Sequence, residues 1–223
     1  MHREFGMLWP MHVKLFILGL PGSGKSAVAR YISMRAKDRQ WSTTHINDFA
    51  ILYKMFEEDT EGQFRPASYG GFDVLEFAVF DTALRKLEQK VNGYIFPANS
   101  ERLLLIEFSR NDYQKAFHQF SYEFLQDAYF LYLDAEISTC KRRILERIAN
   151  PSSEDDFFVS EYIFDAYYNE DDGRSISQIL AGDYGIEKQR VEVIENNGLL
   201  LDSIALINNF IDTICELENL RDS

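Results

Sequence analysis

Residues 19–26 read Gly-Leu-Pro-Gly-Ser-Gly-Lys-Ser, and these residue types at this spacing suit one task, the holding of a polyphosphate. Glycines let successive backbone N–H groups turn toward one anion, a conformation that side chains would block. Lys25 adds a compact positive charge for the β and γ phosphates, and Ser26 adds a hydroxyl able to ligate Mg2+. A helix starting here would aim the positive end of its dipole at the same anion. The expected binding set is Gly19, Gly22, Ser23, Gly24, Lys25, Ser26 and Ala27, with ATP or a related nucleoside triphosphate and Mg2+ as its ligands. The alternative, a glycine turn with a chance lysine, is disfavoured because the motif lies between an apolar run and an amphipathic stretch.

Two acids stand where strands should end. Glu107 follows the apolar residues 103–106, a position from which a carboxylate can reach Mg2+ directly or through water; the competing role is a cap on the next helix. Asp48 follows a short apolar-polar segment, residues 43–46, and also suits an N-cap for the helix expected from Phe49. Arg110, just beyond Glu107, is a candidate for gripping an acceptor that carries a phosphate or carboxylate. Arg65 and Tyr69 are further candidates for the acceptor pocket. Arg143 and Arg147, four residues apart, share one helix face; a solvated basic face paired with Glu146 is the plainer alternative.

The elements that must position these side chains alternate between two kinds. The continuous apolar run at residues 13–18 predicts a strand buried on both faces, residues 103–108 a further buried strand, and residues 43–46, 129–133 and 191–194 read as the remaining strands. Helical spacing predicts helices over 23–37, 49–56, 75–87, 113–125, 137–148, 175–181 and 200–217. Asp73 with Glu76 resembles a capping pair for the third of these, Asn92-Gly93 ends it, and residues 59–71 read as loop. The alternation implies repeated βαβ units: an α/β, three-layer α/β/α sandwich around a five-stranded parallel sheet.

Carried on the glycine motif, the chain resembles the P-loop NTPases, and in its element order their kinase branch, the nucleoside, nucleotide and small-metabolite kinases. That resemblance implies an ATP-dependent, Mg2+-dependent phosphotransferase in which Glu107 is the strand-end acid near the metal. Asp48 would contact the acceptor hydroxyl, as catalytic base or as substrate-orienting group. Lys25, Arg143 and Arg147 would stabilise charge on the moving phosphoryl group. It also implies a lid, here residues 151–173 with Arg174 at its far end, inserted in a single domain spanning 11–223 after an N-terminal extension of residues 1–10. The turn after the last strand would lie near the base, with Asn196 or Asn197 in contact. Glu107 departs from the commoner Asp at its position.

With 223 residues, 46% of them hydrophobic and 14% aromatic, the chain can bury a full core. A formal net charge of −13 disfavours non-specific nucleic-acid binding and anionic membranes. Two cysteines on apolar helix faces and no long apolar run point to a cytoplasmic protein. Residues 59–62 resemble a GTPase D-x-x-G switch but follow no apolar strand, and no N-K-x-D motif accompanies them. The four histidines lack metal-ligand spacing. Beside the kinase, two rivals stand: a regulatory NTPase switch acting on a protein partner, and a zeta-toxin-like kinase of a nucleotide sugar.

Overall fold

The strand at His12–Leu18, β1, sits at the centre of the molecule, and its alternating side chains divide the core. The computed structural model describes residues 12–39, 41–67, 71–94, 102–150, 159–168 and 175–221. Val13, Leu15 and Ile17 face one layer and Phe16 and Leu18 the other, the period-2 alternation of a strand covered on both sides. Around β1 run β2 (Ser42–Asn47), β5 (Arg102–Glu107), β6 (Ala128–Asp134) and β7 (Val191–Glu195), in the order β2-β5-β1-β6-β7 and all parallel. This is the five-stranded parallel sheet of the sequence reading. A separate antiparallel hairpin joins β3 (Phe64–Pro66) to β4 (Phe72–Val74).

Two helices cover the first layer, α1 (Lys25–Asp38) and α9 (Leu200–Arg221), burying Val28 and Ile32 against Ile207, Ile211 and Ile214. The opposite layer is made by α2 (Phe49–Glu57), α3 (Ala78–Asn92), α4 (Tyr113–Phe117), α5 (Tyr122–Gln126), α6 (Ile137–Ala149), α7 (Glu161–Tyr167) and α8 (Ile176–Tyr184). In α3 the residues Val79, Phe80, Ala83, Leu84, Leu87 and Val91 are all buried, as helical spacing requires. Its aromatic interior is centred on Phe16, stacked on Phe130 at 5.1 Å and met edge-on by Phe108 and Phe124. No helix among the described residues is long and apolar enough to cross a membrane.

Three expectations are corrected, and one segment gains detail. Asp73 does not cap α3: it is buried in β4 and accepts both Nε and Nη2 of Arg65, while Phe77 takes the cap position with no side-chain bond. Leu75 is accordingly outside the helix and exposed. The expected loop 59–71 contains β3, which a three-residue strand with one buried position cannot announce by periodicity. The single helix expected over 113–125 is broken in two, because Glu88 of α3 accepts both the backbone N–H and the hydroxyl of Ser121, taking a donor that a continuous helix would use. Within the expected lid, residues 159–168 carry α7, whose Ile163 and Phe164 belong to the main core. The rest of that insertion, Arg174, Tyr69 and residues 1–10 lie outside the described residues.

Phe16→Ala removes the ring around which the aromatic core closes. The expected loss is about 3–5 kcal/mol of stability, read as a lower urea midpoint at unchanged slope.

Candidate active site

The loop between β1 and α1 holds its shape through contacts that only glycines permit. Gly22 has φ 82°, and a Cβ there would stand 2.5 Å from the carbonyl oxygen of Cys140. Gly24, the cap of α1, has φ 100°, and its Cβ would meet Asn196 Nδ2 at 2.6 Å. That same Nδ2 donates to Ser23 O at 2.6 Å, so the turn after β7 supports the loop from one side. From the other side the N–H of Gly19 donates to the hydroxyl of the buried Tyr113 at 2.7 Å. The first turn of α1 contains no acid to compete with an anion for its amides.

Lys25 is buried and donates to Leu20 O at 2.9 Å, a bond that uses one of its three donors. Burial lowers its pKa from the ordinary 10.5, opposed by the charge of Glu107. Ser26 Oγ donates to Glu107 Oε1 at 2.9 Å, and His45 Nε2 lies 2.9 Å from Oε2. Desolvation would raise the Glu107 carboxyl, but His45, Lys25 and Ser26 outweigh it and hold the pKa below the ordinary value. Register explains the meeting: Ile17 and Asn47 both stand level with Glu107, so the ends of β1, β2 and β5 converge. Among the described residues no group of three or more His, Cys, Asp or Glu could hold a metal unaided. The hydroxyl of Ser26 and the carboxylate of Glu107 are hard oxygen donors, and they fit an Mg2+ whose other ligands are phosphate oxygens and water.

Asp48 occupies the cap position of α2, yet its side chain makes no cap bond. Its Oδ2 instead accepts from Arg110 Nη1 at 2.6 Å. Burial pushes the Asp48 carboxyl upward, with Arg110 opposing. Arg110 is itself 1% exposed, donates to Phe80 O at 2.7 Å and to Ser109 O, and lies under the rings of Phe80 and Phe108. Arg110, expected from the sequence to grip an acceptor, does not line the cleft described below, and its donors are directed to Asp48, Ser109 and Phe80. Arg65 likewise forks onto Asp73, on the hairpin and away from the cleft.

A cleft of about 340 Å³ joins these groups. Its lining includes Gly22, Gly24, Lys25, Ser26 and Ala27 of the loop and first turn of α1, the acids Asp48 and Glu107, and Arg143, Arg147 and Tyr168. Arg143 donates to the carbonyls of Gly22, Asn196 and Gly198, which binds α6 to the loop and to the turn after β7. Asn197 caps the approach to α6 by accepting from Glu136 N at 2.7 Å, so it is Asn196, its neighbour, that touches the glycine loop. Tyr168 donates to Ser109 O, and burial pushes its hydroxyl pKa well above ordinary. Asp59 spends its carboxylate on the N–H groups of Glu61, Gly62 and Phe64, a turn device rather than a nucleotide switch. His45, Tyr113 and Tyr168 emerge only in three dimensions and give no local signal; Asn196 is named in the sequence reading together with Asn197, for the base rather than for the support of the glycine loop.

The family model of the AAA domain matches residues 15–164. No curated protein matches the chain by sequence. Among solved structures, an APS kinase, CysC, from Mycobacterium tuberculosis, in complex with AMPPNP and APS, superposes with TM-score 0.54 at 14% identity, over 91% of this chain and 99% of that one. Kti12 from Chaetomium thermophilum, in complex with ADP-AlF3, gives TM-score 0.53 at 13% identity over 90% and 98%. A gluconokinase from Sinorhizobium meliloti 1021 gives 0.50 at 14% identity over 94% and 95%. At these identities the likeness is one of fold.

Gly22→Ala is expected to lower thermal stability and abolish nucleotide binding together, since a positive φ in a non-glycine residue costs about 1–3 kcal/mol and its Cβ would push α6 off the loop. Differential scanning calorimetry with and without nucleotide checks both.

Proposed function

The chain belongs to the AAA domain family and has the fold of the P-loop kinases, and on that premise we propose that it transfers the γ-phosphoryl group of ATP to a hydroxyl of a small-molecule or nucleotide acceptor, with Mg2+. The observation that carries this reading is Asp48. A carboxylate at a helix start whose side chain makes no cap bond, held by a buried arginine and lining the same cleft as the glycine loop, is suited to a ligand.

In this reading the inward amides of residues 19–26 and the ammonium of Lys25 hold the polyphosphate in one register. Ser26 and Glu107 hold Mg2+, and when bound the ion neutralises charge on the phosphate oxygens. Asp48 receives the acceptor hydroxyl, orients it toward the cradle and takes its proton. Arg110 keeps that carboxylate fixed, so little reorganisation is required as charge moves. Arg147 reaches the cleft as the charge-stabilising arginine, whereas Arg143 acts through the loops it ties together. Residues 159–168, with Tyr168 lining the cleft, help to exclude water from the transfer. A cytoplasmic setting, with its ATP and reduced thiols, suits this chemistry.

Asp48→Asn tests the reading directly. Nucleotide affinity by calorimetry is expected to stay within about twofold, while phosphoryl transfer falls by about 10²–10⁴-fold, the range of a lost general base. Retained transfer would remove Asp48 from the chemistry.

Lys25 adds a pH signature. A polyphosphate favours its protonated form, so affinity is full below the free-protein pKa and declines as pH rises through it. Because burial sets that pKa below 10.5, the decline begins at a lower pH than for an exposed lysine. Calorimetry in buffers of different ionisation enthalpy should detect proton uptake on the alkaline side, absent in Lys25→Ala, which is also expected to bind ATP far more weakly.

A further inference from the structure

Among the described residues, the cleft is lined by four cations and two carboxylates, in a chain whose formal net charge is −13. Of the four cations, Lys25 belongs to the polyphosphate cradle, Arg143 is committed to backbone carbonyls, and Arg147 interacts with its surroundings. Both carboxylates are also answered: Glu107 by Ser26 and His45, Asp48 by Arg110. Arg30 remains. It lies on α1 one turn beyond Ser26, on the same helix face, and lines the cleft together with Asn47, Asp48 and Phe49. Its side chain makes no hydrogen bond or ion pair to any described residue, unlike Arg35 on the same helix, which pairs with Asp38.

From this we infer that the acceptor is an anion: a small hydroxylated molecule bearing a carboxylate or phosphate group, which Arg30 binds while Asp48 receives the hydroxyl. The inference rests on the phosphotransferase reading and narrows it. Sequence made Arg110 the candidate for this duty; the geometry transfers it to Arg30, because Arg110 is buried against Asp48 and Phe80. A guanidinium beside the acceptor end matches a planar or tetrahedral oxyanion with paired donors. Placed there, it holds the charged end of the acceptor away from the negative polyphosphate and presents the neutral hydroxyl to it.

The test uses the whole chain saturated with AMPPNP and Mg2+, so that the cradle is filled. Inorganic phosphate is titrated in one arm and acetate in the other. One of the two should bind, the tighter arm naming the group. That binding should weaken about tenfold in Arg30→Ala, the scale of a charge-assisted contact, and hold within about twofold in Arg35→Ala. In a parallel assay, glycerate, gluconate and adenosine monophosphate are compared with glycerol, glucose and adenosine as acceptors. Transfer should favour a charged member, and Arg30→Ala should raise KM for it while KM for ATP stands. Neither anion binding to the loaded protein, equal binding in Arg30→Ala, or preference for neutral acceptors would overturn the inference and leave the kinase reading intact. Failure of AMPPNP itself to bind would overturn both.

Discussion

Charged side chains lose their hydration when they are buried, and at the carboxyl edge of this sheet four of them are buried within one small volume: Lys25, Glu107, Asp48 and Arg110. None could stay ionised alone in such a place. Each is answered. Glu107 is held by a hydroxyl, an imidazole and the Lys25 field, and Asp48 by the guanidinium of Arg110, which in turn rests on a carbonyl and two aromatic faces. Removing one member would leave its partner as an uncompensated charge, so the set is stable only when complete. The same low dielectric that makes the set demanding strengthens its field at the place where a phosphoryl group would sit.

The parallel sheet makes this matched set possible. With β1 between β5 and β6, the glycine loop leaves the centre of the sheet beside Glu107, and β2 brings Asp48 past the outer side of the same strand. The turn after β7 and the middle of α6 close the other side through Asn196 and Arg143. Elements distant in sequence thus touch one loop of eight residues, whose glycines exist because those neighbours approach too closely for a Cβ. Beyond the sheet, Arg65 pairs with Asp73 in the hairpin and lies over the ring of Tyr162 on α7, while Tyr168 at the end of that segment reaches Ser109 beside Arg110. The hairpin, α7 and the Asp48–Arg110 pair are in this way linked by a contiguous set of contacts.

Much of this was legible residue by residue. The central strands β5, β1 and β6 read clearly because apolar runs signal burial on both faces, whereas the edge strands β2 and β7 are mixed in composition and mostly not buried; the helices were legible because 3.6-residue spacing is carried by many positions at once. The failures share a cause. Asp73-x-x-Glu76 has the residues of a capping box, but Arg65 offers Asp73 a stronger partner across the hairpin. Residues 113–125 have one continuous helical pattern, but Glu88 from another helix interrupts it at Ser121. Residues 159–168 lack a period yet form a helix, because α7 is short and its buried residues are satisfied by the core they join.

By itself the sequence determined the glycine loop suited to a polyphosphate, since its glycines, lysine and serine would act through backbone freedom and side chains that are neighbours along the chain. It likewise determined the α/β alternation and the presence of acids at two strand ends. Only the tertiary structure shows what those acids meet. Asp48 makes no side-chain cap bond, and the atom it meets belongs to Arg110, 62 residues away. Which arginine faces the cleft and which supports it was decided the same way. Spacing along a chain fixes a residue's face, but its partner is set by how strands and helices far apart in sequence pack, and that is the information a local pattern does not contain.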